Sequence, residues 1–394
     1  MQEKIALGFG GCIDYEIVWD ATAIEALIHH YGIHAAELDI NQIIQSERDL
    51  VISILSFLQA GIGGERFVRA SAIIEQFARH FAKKITLGGT SVRATIAMRK
   101  LGYTSALHLV TINEHFRRLL PLDCPIICSN SQESAHPHLI VQFGQGACIN
   151  AGDIDLCASR SNRIIYHHDD DNIRMDLNED FANLMSDAKV FLISGFNAMQ
   201  SEELLLNRLA AVLRMLEKLP QAAQVYFEDA VYYNPRFHQL ILATLAQQIT
   251  IFSLNEDELQ AHLGRKLNLL DAEQIKAALA DLQKIIPVPI LVLHSMYWAL
   301  AYGQTASRMA QALKGGVTMA TTRFRYGDDF TVENYHSVGK LAPNPAGARF
   351  CEALTELLGD QVCCVPVAQV AQANATTIGL GDAFVGGFLP ALVG

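Results

Sequence analysis

The chain has 394 residues, with 30 Lys+Arg against 41 Asp+Glu, a formal net charge of −11, and 51% hydrophobic residues. That composition is too apolar for a disordered chain and too mixed for a collagenous or coiled-coil one. The acidic surplus, with no basic block, argues against nucleic acid or an anionic membrane as main partner; an anionic small ligand would need positive potential gathered locally.

The length suits two to three domains, or one large α/β domain with an appendage. After Met1-Gln2-Glu3-Lys4, the apolar run Ile5–Phe9 is too short for a signal peptide or membrane span and reads as a first strand of a soluble, cytoplasmic protein. Gly8-Phe9-Gly10-Gly11-Cys12-Ile13 resembles the start of a dinucleotide fingerprint, but Ile13 stands where the third glycine is needed. The eight cysteines (12, 124, 128, 148, 157, 351, 363, 364) contain no C-x-x-C pair and are expected as reduced, buried thiols.

Two regions, 15–65 and 124–177, differ from the rest. In the second, short alternating pieces such as His138–Phe143 and Arg163–Tyr166 are separated by polar turns, Gly144–Gly146 and Asp169–Asn172. They predict a smaller sheet inserted as a discontinuous lid into a large domain of residues 1–14, 66–123 and 178–394. His167-His168-Asp169-Asp170-Asp171 has metal-binding composition, but contiguous residues rarely converge on one ion, so a solvated turn is expected.

Between 189 and 294 the pattern is regular. Lys189–Gly195 is a buried-strand run, followed by a helix capped by Ser201 that carries Leu205, Leu209, Val212, Leu213 and Leu216 until Pro220. Strands at 224–228, 250–255 and 289–294 alternate with helices at 234–248 and 272–286. Apolar strands alternating with helices predict an α/β fold with a mostly parallel sheet covered on both faces. Ligands of such sheets bind beyond the carboxyl ends of the strands, which here carry Ser194-Gly195, Glu228, Asn255 with Glu258 beyond it, and His294. No P-loop is present, since Gly339-Lys340 is followed by Leu341.

In Thr376–Phe388, glycines flank the point where a loop enters an apolar helix, a setting whose free amides and dipole suit phosphate. Asp382, in the first turn, suits a base for an attacking hydroxyl, or an ordinary N-capping side chain.

Gly379-Leu380-Gly381-Asp382 resembles the G-x-G-D motif of ribokinase-like sugar kinases, and most of the chain resembles their ADP-dependent glucokinase/phosphofructokinase branch. Cys12-Ile13-Asp14 resembles the N-x-D turn, Ser56–Glu65 the helix ending in G-x-A-x-E, and Leu87–Thr90 the G-G-[QN]-A segment. Ser161–Ile164 resembles the lid's N-R-[FI] piece, and Ser194-Gly195-Phe196 the S-G-[FL] strand end. Asn255–Leu259 resembles N-x-x-E, and His294–Tyr297 the H-T-Y-type strand end. Tyr226-Phe227-Glu228 keeps the carboxylate of the family's H-x-E and lacks its histidine; Cys12 and Thr90 replace amides. With the chain stopping at Gly394, the final family elements are expected to be shortened.

The resemblance implies a ribokinase-like three-layer α/β/α domain with an inserted lid. It implies that Asp382 is the base, with the amides of Gly379, Leu380 and Gly381 as the anion hole. Asp14, Glu65, Gly88, Gly89, Thr90 and His138 would face the sugar, Arg163, Asn255 and His294 the nucleotide, and Glu228 and Glu258 would hold Mg²⁺. ADP would phosphorylate glucose or fructose 6-phosphate, leaving AMP, in a monomer or homodimer; Glu65 leans toward glucose, and Arg93, Arg99 and Lys100 are candidates for a substrate phosphate. An ATP-dependent sugar or nucleoside kinase, and a catalytically silent sugar- or nucleotide-binding protein, are the alternatives.

Overall fold

Apolar runs long enough for strands, separated by helices with one apolar stripe, assemble into two sheets joined at a neck. The fold is a computed structural model that describes residues 5–370 and 378–393, so Thr376 and Thr377 of the glycine segment lie outside the described residues. In chain order the first eight strands are β1 (Ile5–Leu7), β2 (Cys12–Ile17), β3 (Gly64–Phe67), β4 (Lys83–Gly88), β5 (Ala106–Leu109), β6 (Ile126–Cys128), β7 (His138–Phe143) and β8 (Cys148–Ala151). The others are β9 (Ile154–Cys157), β10 (Asn162–His167), β11 (Val190–Ile193), β12 (Gln224–Glu228), β13 (Ile251–Asn255), β14 (Ile290–His294), β15 (Trp298–Gly303) and β16 (Val362–Pro366).

The large sheet has nine strands in the order β16-β15-β14-β13-β12-β11-β1-β5-β6. It is parallel from β14 to β6, and β15 and β16 add antiparallel pairs at one edge. Period-2 alternation sends Val225 and Phe227 into the apolar layer on one face and Tyr226 into the layer on the other. Helices cover both layers: Glu202–Leu216, Arg236–Leu245 and Ala272–Ile285 on the first, and Thr90–Lys100, Ala310–Tyr326 and Leu380–Phe388 on the second. The α/β architecture with a mostly parallel sheet is as the sequence predicts.

The small sheet has five strands in the order β3-β10-β7-β2-β4. Ile17, Leu139, Val141, Phe143, Ile164 and Tyr166 alternate onto the face covered by helices Ala21–Tyr31, Glu47–Ala60 and Ser71–Ala78. The residues between them turn to the other face, toward the large sheet. The division differs from the expected one at its edges. Helix Ser71–Ala78 and β4, placed by sequence in the large domain, pack with and pair into the small sheet, where β4 meets β2 from Cys12↔Gly88 to Ile17↔Lys83. Strand β6, placed in the lid, pairs with β5 of the large sheet. Partner choice, which local periodicity does not encode, decides both.

The chain crosses between the sheets four times, after β1, β4, β6 and β10. The crossings touch. A Cβ on Gly89, which has φ +91°, would stand 2.9 Å from the Cα of Gly11. Asn172 Nδ2 donates to Gly11 O at 2.9 Å and to Asp169 Oδ2 at 2.7 Å. Ser134 Oγ donates to Asp171 and lies 2.6 Å from Thr111 Oγ1. Residues 167–171 are therefore no solvated turn: His167, Asp169 and Asp171 are buried in this neck.

The expectation of reduced thiols also fails at one place. Cys148 and Cys157 face each other in the β8–β9 hairpin and form a disulfide, which withdraws the cysteine-based part of the case for a cytoplasmic chain. Hairpin register brings them together across nine residues of sequence, which C-x-x-C spacing does not test. Among the described residues, no helix is long and apolar enough to cross a membrane.

Candidate active site

Helix Leu380–Phe388 begins where Gly379 adopts φ +62°, a conformation that admits glycine readily. Gly379 is the N-cap and supplies no side chain, so Asp382 is not a capping residue. Its Oδ1 accepts from Thr90 Oγ1 at 2.9 Å, and its Oδ2 lies 3.6 Å from Arg93 Nε. Gly379 serves an internal neighbour first: a Cβ there would stand 2.8 Å from Arg93 Cδ.

Arg93 is the hub of this end of the cleft, and sequence reading had offered it only as a phosphate candidate. It is 6% exposed, donates to Asp14 Oδ2 at 2.7 Å, and has carboxylates of Glu16 and Asp328 at 3.8 and 3.9 Å. Burial pulls against its charge, but Asp14 and Asp382 hold its pKa above the ordinary arginine value. The carboxyl of Asp328, against the upward push of burial, is held well below its usual range by Arg323, Lys84 and Arg93. Arg99 pairs with Asp123 on the surface, and Lys100 donates to backbone carbonyls of Asp328 and Phe330; neither faces the cleft residues.

Across from Asp382 stands the polar face of the small sheet. Asp14 and His138 are register partners, Gln142 opposes Arg163, and Ile165 opposes Glu65. Since register partners and alternate residues share a face, Asp14, His138, Arg163 and Glu65 all point to the same side. Glu65 is solvent-accessible yet walled in by protein. Desolvation raises its carboxyl pKa, His138 and Arg163 oppose the rise, and Asp14 and Asp382 add to it. Carboxylates from both sheets therefore border one cleft. His138 sits 3.4 Å from Asp169; against the downward pull of burial, Asp169, Asp14 and Glu65 keep its pKa raised. Burial and His138 push the neighbouring His167 down to about 3. At the end of β4, Gly88 leaves room for Asp14, whose Oδ2 would stand 2.6 Å from a Cβ.

The other flank of the helix start meets the ends of β12, β13 and β14. A Cβ on Gly381 would stand 3.4 Å from His294 Cε1, and the His294 ring stacks on Phe384 at 4.7 Å. His294 Nε2 is 3.2 Å from Glu228 Oε1, so an imidazole reaches this carboxylate from β14 although Tyr226 has replaced the motif histidine. Glu228 Oε2 is buried without a hydrogen-bond partner among the described residues. Asn255 is occupied locally: its Oδ1 accepts from the amides of Asp257 and Glu258, while Glu258 Oε2 accepts from the Asn255 amide at 2.8 Å. Burial, then Asp229 and Glu228, push the Glu258 carboxyl well above the ordinary range.

Sequence reading missed Arg93 as the hub, the Thr90–Asp382 bond, Asp169 behind His138, and Asp229 with its two imidazoles. Only the last carries a local signal, a second carboxylate directly after Glu228.

A doubly covered parallel sheet, an inserted lid sheet, and a glycine-led helix presenting a carboxylate to the cleft define a ribokinase-like kinase, a phosphotransferase with an alcohol acceptor. The comparisons narrow this. Residues 3–389 match the conserved region of the ADP-specific phosphofructokinase/glucokinase family, and the chain belongs to that family of ADP-dependent sugar kinases. In fold it is similar to a hypothetical ADP-dependent phosphofructokinase from Pyrococcus horikoshii OT3, with a TM-score of 0.77, 17% identity, and 100% of this chain and 98% of that one covered. An ADP-dependent kinase in complex with fructose 6-phosphate and ADPβS gives 0.74 at 13% identity, covering 100% and 94%. An adenosine kinase from Sinorhizobium meliloti gives 0.52 at 11%, covering 100% and 89%. No curated protein is similar enough in sequence to match.

Proposed function

We propose that the chain transfers the β-phosphoryl group of ADP to a hydroxyl of a neutral hexose, with glucose preferred to fructose 6-phosphate. The observation that carries this reading is that Asp14 and Glu65 share one face of the small sheet while Asp14 and Asp382 meet on the same Arg93 guanidinium. Carboxylates accept from hydroxyls and repel a phosphorylated sugar. Fructose 6-phosphate is the second reading, favoured by Arg163, which has no carboxylate within ion-pair distance among the described residues.

In the proposed reaction, Asp382 accepts the proton of the attacking hydroxyl as the sugar oxygen bonds to the β-phosphorus. The bond from that phosphorus to the bridging oxygen breaks, and AMP leaves with its electron pair. Thr90 and Arg93 hold the Asp382 carboxylate in place. The amides of Gly379, Leu380 and Gly381 stabilise the transferring group, and Arg163 reaches the nucleotide phosphates from the lid. The unpartnered Glu228 Oε2, beside the raised Glu258, fits a divalent cation. Mg²⁺ bound there would neutralise the phosphate charge. His294 orients Glu228, and Asn255 fixes Glu258 through the helix cap. One chain completes the cleft, so a monomer or homodimer suffices, and the cytoplasm is the proposed setting.

A nucleotide-by-sugar activity matrix with AMP and ADP both quantified tests the reading. Accumulation of AMP with ADP and glucose supports it. Turnover with ATP alone would make the chain an ATP-dependent kinase, and tight sugar binding without AMP would make it a silent binding protein.

A further inference from the structure

Behind Glu228 lies a second cluster of titratable side chains that the proposed reaction does not use. Asp229, the residue after β12, has Oδ2 2.7 Å from His262 Nε2 and Oδ1 3.7 Å from His238 Nε2. The two imidazoles lie 4.3 Å apart, and one donor atom from each of the three residues falls within 4.8 Å of the others. Asp229 and His238 are 5% and 6% exposed. Asp229 Oδ1 and His238 Nε2 face each other with no hydrogen-bond partner among the described residues. At 3.7 Å they are too far apart to hydrogen-bond to each other; the Tyr232 hydroxyl also lies against Asp229, and no Lys or Arg pairs with it among the described residues.

We propose that Asp229, His238 and His262 bind a divalent transition-metal ion of the zinc type, at a site separate from the Mg²⁺ that accompanies the nucleotide. Two imidazoles and one carboxylate are borderline donors suited to such an ion, whereas Mg²⁺ prefers oxygen alone. Donors held at about 2.0–2.2 Å from a tetrahedral ion stand about 3.3 Å apart. The 2.7 and 3.7 Å observed, to the two oxygens of Asp229, bracket that spacing, and the three donor atoms lie within 4.8 Å of one another, so closing on one ion takes side-chain shifts and no rearrangement of the backbone elements. The ion takes the place of the proton shared by Asp229 and His262 and gives the unpaired atoms their partner. Glu228 and Glu258 add negative potential nearby. The bound ion ties the end of β12 to helices Arg236–Leu245 and Glu256–Leu263, and so fixes the backbone that carries Glu228.

A second cluster, Cys12, Asp14 and His138, also converges, but Asp14 there already pairs with Arg93. Titration of the metal-stripped full chain with Co²⁺ separates the two. The expected result is one equivalent bound with the intense visible bands of a low-coordinate ion and no sulfur-to-cobalt charge-transfer band. Cys12→Ser should leave this spectrum unchanged, and His238→Gln and His262→Gln should each weaken binding by about tenfold or more. Three results would overturn the proposal: no Co²⁺ bound or only weak six-coordinate bands, a sulfur band abolished by Cys12→Ser, or binding unaffected by both histidine variants. If the histidine variants fail to fold, the spectra of the wild type and Cys12→Ser still decide.

Discussion

Two groups of buried and half-buried carboxylates flank the start of the Leu380–Phe388 helix, and they are balanced differently. Asp14, Glu16, Asp328 and Asp382 surround the Arg93 guanidinium, whereas Glu228 and Asp229 meet imidazoles and tyrosine hydroxyls, and Glu258 a backbone amide, with no Lys or Arg in ion-pair reach among the described residues. The first group carries its counter-charge in the sequence and is a permanent brace. The second leaves oxygens unpaired and one carboxyl strongly raised, as the proposed cation sites require.

The largest expected effect tests whether Asp382, within the braced group, is also the reacting one. Asp382→Asn should keep sugar binding and lower turnover by about 10²–10⁴-fold; steady-state turnover within about tenfold of wild type would refute the base assignment. Arg93→Met should strand its buried carboxylates and destabilise the protein by about 3–5 kcal/mol in urea unfolding. A loss below about 1 kcal/mol would mean that the brace is not needed.

The two groups should also respond to pH with opposite signs. The folded Asp328 carboxyl lies below its ordinary 3.8, so its contribution is present above that pH and is lost as pH falls. The folded Glu258 carboxyl lies above its ordinary 4.5, so without added metal its contribution is lost as pH rises from 4.5 through the raised value. Thermal melts across pH should show that loss with rising pH, and Glu258→Gln or added Mg²⁺ should flatten it; a slope indifferent to both would erase the distinction. The smallest effect is that of Thr90→Val, which removes one hydrogen bond to Asp382 and should cost about 1 kcal/mol of transition-state stabilisation, read as a several-fold fall in kcat/KM.

The large sheet was legible because its strands are continuous apolar runs and its helices repeat at helical spacing, which are local properties. The same holds for Glu228, Asn255 and His294 at strand ends and for the glycines before Asp382. Arg93 was not legible as a hub, because it sits in an ordinary helix while its partners lie elsewhere in the chain: Asp14 is 79 residues away. Thr90 and Asp382 are 292 residues apart, joined only by topology. Strand β4 begins Lys83-Lys84 and then alternates, a pattern that fits either sheet; only pairing with β2 assigns it. His167–Asp171 read as surface because of its charge, yet the Asp169 and Asp171 carboxylates are buried in the neck against histidines, amides, a hydroxyl and Arg174, and Asp170 alone among the carboxylates faces outward.

That neck has a mechanical consequence. Asp169 is at once the partner of His138 on the small sheet and, through Asn172, a tether of the Gly11 carbonyl between β1 and β2. Gly11 in turn rests on Gly89, the residue before Thr90. On the proposed reading, a sugar hydroxyl that drew His138 away from Asp169 would load the joint between the two halves and, one residue further, the hydroxyl bonded to Asp382. Occupancy on one bank of the cleft would then reach the other through a relay of short contacts.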